Sequence, residues 1–176
     1  AASFGAIAFG SDTCGSIRIP AAAHNLFGLR PTKGLSSTTG IIPLSHTQDV
    51  AGPLARTVTD LAIALHATVG ADPADTATRI LEGRAPPSFA QALDSTSLKG
   101  ARFGVLTAYL GDQPEDQEAT RVVRAALDRI RARGAEVVDV TIPALDSIAN
   151  RAGVIDYEFK YDLADYLAKT PGAAAA

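Results

Sequence analysis

The chain has 176 residues, of which 47% are hydrophobic, 20% charged and 6% aromatic, the balance of a soluble globular protein rather than a disordered or fibrous one. Sixteen basic against nineteen acidic residues leave a net charge of -3, which offers no footprint for a phosphate backbone, so no nucleic-acid partner is expected. The single cysteine, Cys14, excludes an intrachain disulfide and a cysteine-based metal cluster. A domain of this length buries roughly 68 to 70% of the surface of its unfolded chain, so one domain over 1–176 is expected. No run reaches the roughly 20 apolar residues of a membrane-spanning helix, and no membrane partner is expected.

The opening AASFGAIAFG is apolar without a charged start, as in a chain entered in mid-domain, and the closing TPGAAAA reads as a trailing tail. A fragment is therefore expected. Residues 1–50 are rich in Gly, Ser, Thr and Pro with short apolar runs, a pattern of short strands and tight turns. The run at 6–10 predicts a buried strand, and AAAHNLFG at 21–28 a short helix closed by Gly28. The following LRPTKGLSSTTGIIP is predicted to be loop, punctuated by Pro31, Gly34, Gly40 and Pro43.

Thr57 with Asp60 three residues on resembles a capping box, and Val58, Leu61, Ala62, Leu65 and Val69 recur at helical spacing up to Gly70. The Pro- and Asp-rich stretch 71–89 predicts an irregular connection with a turn or two of helix. RFGVL at 102–106 then predicts a strand, Val122, Val123, Ala126, Leu127 and Ile130 one apolar helix face, and EVVDVTI at 136–142 another strand. Strand, helix and strand at these lengths make a right-handed parallel crossover. A last helix is expected over roughly Ile155 to Lys169, which places the chain in the α/β class. Chemistry is expected in 1–56, and 57–176 should supply a helix and the βαβ scaffold.

The segment richest in chemistry is GSDTCGSIRIP, from Gly10 to Pro20, between a short strand and a small-residue helix. Gly10 and Gly15 let the backbone turn sharply, so that consecutive N–H groups from Thr13 to Ser16 can converge on one point and stabilise an oxyanion. Ser16 ends that turn, where its hydroxyl can attack a carbonyl held by those amides. The plain alternative is a Gly/Ser turn between a strand and a helix. His24, His46 and His66 raise a conventional Ser, His, Asp site, with Asp49 near His46, but Ser16 is followed by Ile17 and Arg18 and the Gly-x-Ser-x-Gly elbow is missing. His66 reads as a structural or surface residue, His24 as a helix residue, and His46 as a residue of a pocket rim. Three scattered histidines and no cysteine pair give no metal site. The charged helix face with Glu118, Arg121, Arg124, Asp128 and Arg131 reads as solvated surface.

Over most of its length the chain resembles the amidase signature family of serine hydrolases. The resemblance rests on GSDTCGSIRIPA, on FGLRPTKG at 27–34, on GIIPLSHTQDVAGPLARTVTD at 40–60, and on the strand, helix, strand unit, in that order. YEFKYDLADYLA at 157–168 resembles a late segment of some bacterial, fungal and plant-type members. What the resemblance implies is a three-layer α/β/α sandwich around a mixed sheet, incomplete in this chain, and hydrolysis of a carboxylic amide by a Ser, cis-Ser, Lys triad without a cofactor. The nucleophile position falls on Ser16, the oxyanion-hole amides on Thr13, Cys14, Gly15 and Ser16, and the loop-bracing positions on Asp12 and Arg18. An ordinary ion pair holding a turn is the plainer account of Asp12 and Arg18. Cys14 should act through its backbone N–H; the alternatives are a nucleophilic thiol, for which no suitably related His is evident, and, more plainly, a small buried side chain.

The chain also departs from the family pattern. There the Gly/Ser-rich segment and the base lysine precede the nucleophile, whereas here fifteen residues precede Ser16, with Ser3 and Ser11 and no lysine. Lys33, Lys99, Lys160 and Lys169 all follow it. The rival expectations are an amidotransferase A-type subunit, and a catalytically silent module that keeps the scaffold for binding. The expected substrate is a small-molecule or peptide amide, the expected association is self-association or pairing with a missing N-terminal part, and the expected location is the cytoplasm.

Overall fold

A chain whose first strand runs straight into a glycine-flanked turn needs a partner strand to hold that turn, and the partner comes from Val50–Ala55. The computed structural model describes residues 3–94 and 96–172. It divides into two compact units, one of residues up to Leu93 together with those from Gly153 on, the other of Asp94–Ala152.

In the first unit β1 (Ile7–Asp12) and β2 (Phe27–Gly28) flank β3 (Val50–Ala55) in an antiparallel sheet of order β1-β3-β2. The register sets Ile7 opposite Ala55 and Asp12 opposite Val50, with Gly10 facing Gly52. Leu29 and Pro31 pass so close to Gly52 that a β-carbon there would meet the Leu29 carbonyl oxygen at 2.2 Å. β1 differs from the buried strand expected: Ile7 and Phe9 are exposed, Phe9 at 57%, and burial begins only at Asp12.

The helix expected over 21–28 is displaced. α1 spans Arg18–Ala23, and the chain reverses at Asn25, whose φ of 54° lies in the left-handed region that Asn tolerates. The Leu26 amide donates to the Ala21 carbonyl at 2.8 Å and the Asn25 amide to Ala22 at 3.4 Å, a Schellman ending. Asn25 thus does the work assigned to Gly28, which instead lies in β2 opposite Leu54.

α2 (Val58–Thr68) begins as its capping pattern predicts: the Thr57 hydroxyl accepts from the Asp60 amide at 3.0 Å and donates to the Asp60 carboxylate at 2.8 Å. Its buried residues are Leu61, Ala62, Ala64 and Leu65, and the helix packs against β3. After Val69 turns extended and bridges to Ser36, the chain crosses 71–89 with one 3-10 segment at Thr76–Leu81 and another at Phe89–Ala92. Ser37 and Thr38 donate to the carboxylates of Asp72 and Asp75, so this connection pins the loop below it. Helix α5 (Ile155–Lys169), as expected, closes the unit.

The second unit pairs β4 (Arg102–Leu106) with β5 (Glu136–Val140) in parallel, Arg102 opposite Glu136 and Leu106 opposite Val140, joined through α3 (Gln117–Ala132). The apolar face expected on α3 is present, yet Val122 and Val123 are exposed. A short helix, α4 (Leu145–Arg151), follows β5 where no element was expected.

Candidate active site

Everything around Ser16 is organised by its neighbour. Ile17 is fully buried, and its side chain fills the space left by three glycines, within 3.1 to 3.6 Å of where the β-carbons of Gly10, Gly28 and Gly52 would be. Anchoring Ile17 in the core leaves Ser16 exposed at the surface of the turn. Gly15 is buried with φ +152°, and a β-carbon on it would lie 2.7 Å from Ile19 Cδ1, so the turn needs glycine there. The Gly15 carbonyl accepts from the Ile19 amide at 2.8 Å. Among the described residues, the amides of Thr13, Cys14, Gly15 and Ser16 donate to no protein group.

Asp12 closes the loop from beneath. It is 0% exposed, and its Oδ2 accepts from the Ile17 amide at 3.1 Å, from Arg18 Nε at 3.2 Å and from the Arg18 amide at 3.4 Å. Arg30 Nε lies 3.3 Å from its Oδ1. Burial pushes the Asp12 carboxyl up, but the hydrogen bonds from the Arg18 side chain and the Ile17 amide and the Arg18 charge outweigh it, leaving the group below its ordinary value. The same contacts raise Arg18.

Thr13 is held from the other side: its hydroxyl donates to Asp49 Oδ1 at 2.5 Å, and both are buried. Asp49 Oδ2 in turn accepts the Leu44 and Ser45 amides at 2.8 and 3.0 Å, which folds 44–49 into a tight turn. Arg30 reaches that turn as well, donating to the Gln48 carbonyl at 2.8 Å, while Lys33 Nζ donates to the Asp49 carbonyl at 3.0 Å. Lys33, His46, Asp49 and Asp75 line a cavity of about 320 Å³.

The structure therefore brings Asp12, Thr13, Gly15, Ser16 and Arg18 into one turn braced by an ion pair. Cys14 does not have the small buried side chain expected of it; it is exposed. Arg30 and the contact between Thr13 and Asp49 were not foreseen, because they join positions 18 and 36 residues apart with no motif spacing to mark them. His24 is exposed at the C-terminal end of α1, and His66 is an exposed helix residue against Phe89 and the Pro87 carbonyl. His46 lines the cavity and sits beside Glu158 and Asp162, with ligand atoms of the three within 4.8 Å of one another. Scattered histidines gave no sign of this group. Its carboxylates are taken up by hydrogen bonds from 45–47: Asp162 accepts from the His46 amide at 2.7 Å and lies 2.9 Å from its Nδ1, and Glu158 accepts from the Ser45 and Thr47 hydroxyls.

A strand runs into a charge-braced turn that leaves a serine on its exposed side. Residues 1–175 match the Amidase family profile, and the chain belongs to that family. It is 36% identical over 170 residues, 97% of its length, to the A-type subunit of glutamyl-tRNA(Gln) amidotransferase from Acaryochloris marina, and 41% identical over 143 residues to an amidase of Pseudomonas putida, 81% of this chain and 30% of that one. It covers 31% of the Acaryochloris protein, so the chain spans about a third of the length of such relatives. The peptide amidase structure from Stenotrophomonas maltophilia superposes with a TM-score of 0.81 at 39% identity, over 93% of this chain and 33% of that one. The complex of the peptide amidase with chymostatin gives 0.85 at 38%, over 96% and 34%. The fold is thus the amidase signature α/β fold, present here in part, with its strands in a three-stranded antiparallel and a two-stranded parallel sheet.

Proposed function

We propose that this chain is the nucleophile-bearing part of an amide hydrolase. Ser16 Oγ attacks the carbonyl carbon of a carboxylic amide, and the loop amides of Thr13, Cys14, Gly15 and Ser16 hold the negative charge that develops on the carbonyl oxygen. The C–N bond then breaks, ammonia or an amine leaves with the proton, and water cleaves the acyl-serine ester to release a carboxylic acid and restore the hydroxyl. The observation that carries this reading is an exposed Ser16 on a turn whose four amides have no protein acceptor among the described residues, while Asp12 and Asp49 fix the turn from both sides. Asp12 and Arg18 brace the turn and take no part in the chemistry.

A peptide or small-molecule amide is the substrate that the likeness to peptide amidase supports. A second reading, an amidotransferase A-type subunit, draws on the 35 to 41% identity to such proteins, although the corresponding Thermotoga maritima structure superposes less well, at a TM-score of 0.76 and 26% identity. Ammonia release from a peptide amide by the natural full-length protein alone separates the two. In that assay Ser16→Ala should lower turnover by on the order of 10⁴-fold or more. Undiminished turnover in the variant removes Ser16 from the mechanism.

A further inference from the structure

We propose that Glu158, on the first turn of α5 and far from Ser16 in sequence, is a positioning residue for the nucleophile loop. The inference rests on the amide-hydrolase reading and extends it. Glu158 accepts hydrogen bonds from the Ser45 and Thr47 hydroxyls and, at 3.1 Å, from the Thr47 amide. Those three donors belong to the turn that ends in Asp49. Ser45 is fully buried, its carbonyl accepts from the Asp49 amide at 2.8 Å, and its hydroxyl oxygen accepts from the Gln48 amide at 3.2 Å.

With the turn clamped on α5, Asp49 has one carboxylate oxygen fixed on the Leu44 and Ser45 amides and the other aimed at Thr13. Thr13 is the first of the four residues whose amides donate to no protein group among the described residues. A parallel arm leaves the same turn at Gln48, whose carbonyl binds the Arg30 guanidinium, and Arg30 reaches Asp12. Glu158 therefore acts at two points of the nucleophile loop through one turn. Apart from the Arg30–Asp12 ion pair at 3.3 Å, the links are hydrogen bonds, each with at least one buried or half-buried partner, and the charged acceptors make the stronger contacts of the series.

A residue that merely held α5 in place would alter stability and leave the loop's chemistry alone. A positioning residue lowers the rate of the step that needs the amides aligned, with little change in substrate binding, because misplacement of that size is felt mostly in the transition state. The test uses the natural full-length enzyme and its Glu158→Gln, Thr13→Val and doubly substituted forms, with a C-terminally amidated peptide as substrate and a fluorophosphonate as serine probe. Glu158→Gln should lower kcat about tenfold or more, with KM within about twofold, and slow labelling of Ser16 in proportion. Because the two residues lie on one path, the double variant should lose little beyond the worse single one. Asp156→Asn, on the same turn of α5 but exposed and outside the path, should label at the wild-type rate.

Labelling of Glu158→Gln at the wild-type rate overturns the proposal, as does a double variant whose loss is the product of the single ones. A wild-type enzyme that never labels at Ser16 overturns the amide-hydrolase reading instead, so the two failures are distinct.

Discussion

Replacing Asp12 by alanine removes the acceptor around which the turn carrying Ser16 is folded, and the cost follows from its four contacts. A hydrogen bond to a charged group contributes about 1.5 to 3 kcal/mol, and the Ile17 amide at 3.1 Å, between buried atoms, falls in that range. The Arg18 amide at 3.4 Å is too long to add much. The Arg18 side chain is 54% exposed, so water screens its pair with Asp12 to under about 1 kcal/mol. Arg30, at 31%, is better shielded and loses its carboxylate partner. The sum is about 3 kcal/mol for Asp12→Ala against under about 1 kcal/mol for Arg18→Ala, a difference that comes from burial rather than charge. Urea unfolding of the full-length variants, with the labelling rate of Ser16 followed alongside, measures both. Equal costs for the two variants would refute the reasoning, because they would mean that the exposed guanidinium and not the buried amide holds the turn.

Ile17→Ala should destabilise the protein by about 2 to 5 kcal/mol in the same urea assay, since the pocket between three glycines cannot collapse around a smaller side chain; a loss under about 1 kcal/mol would contradict that packing. Gly52→Ala should cost about 1 to 3 kcal/mol through overpacking against the Leu29 carbonyl, whereas Gly70→Ala, with nothing within 4 Å, should be close to neutral. The Ser45 hydroxyl first, then the Thr47 hydroxyl and amide, hold the Glu158 carboxyl down to about 2 from an ordinary 4.5. Its contribution to stability is therefore full above pH 4.5 and declines as the pH falls towards 2, so the difference in urea midpoint between wild type and Glu158→Gln should shrink over that window, and a difference independent of pH would contradict the contact.

Much of the second half was legible because its apolar residues keep a period: Arg102–Leu106, Glu136–Val140 and Ile155–Lys169 are the elements that alternation and helical spacing predict. The Thr57 and Asp60 pair marked the start of α2 for a local reason, since a cap needs only residues three apart. β3 was missed because Gly52 and Pro53 interrupt it, and both are accommodated by close passage of Leu29 and Pro31 that no local pattern encodes. α1 was misplaced because Asn25 and Gly28 both qualify as helix endings, and pairing with β3 claims Gly28 for a strand. At the site, the Gly10–Pro20 motif pointed to Ser16 and to Asp12 with Arg18. The braces from Arg30, Asp49 and Glu158 come from positions far along the chain from the loop they steady, and only the fold brings them there.

The central claim, that this turn presents Ser16 as an activated nucleophile, is tested most directly by treating the natural full-length protein with a fluorophosphonate and locating the adduct by intact mass and peptide mapping. The account predicts a single adduct on Ser16 that is absent from Ser16→Ala. An unlabelled protein, or an adduct that persists in Ser16→Ala, would contradict it.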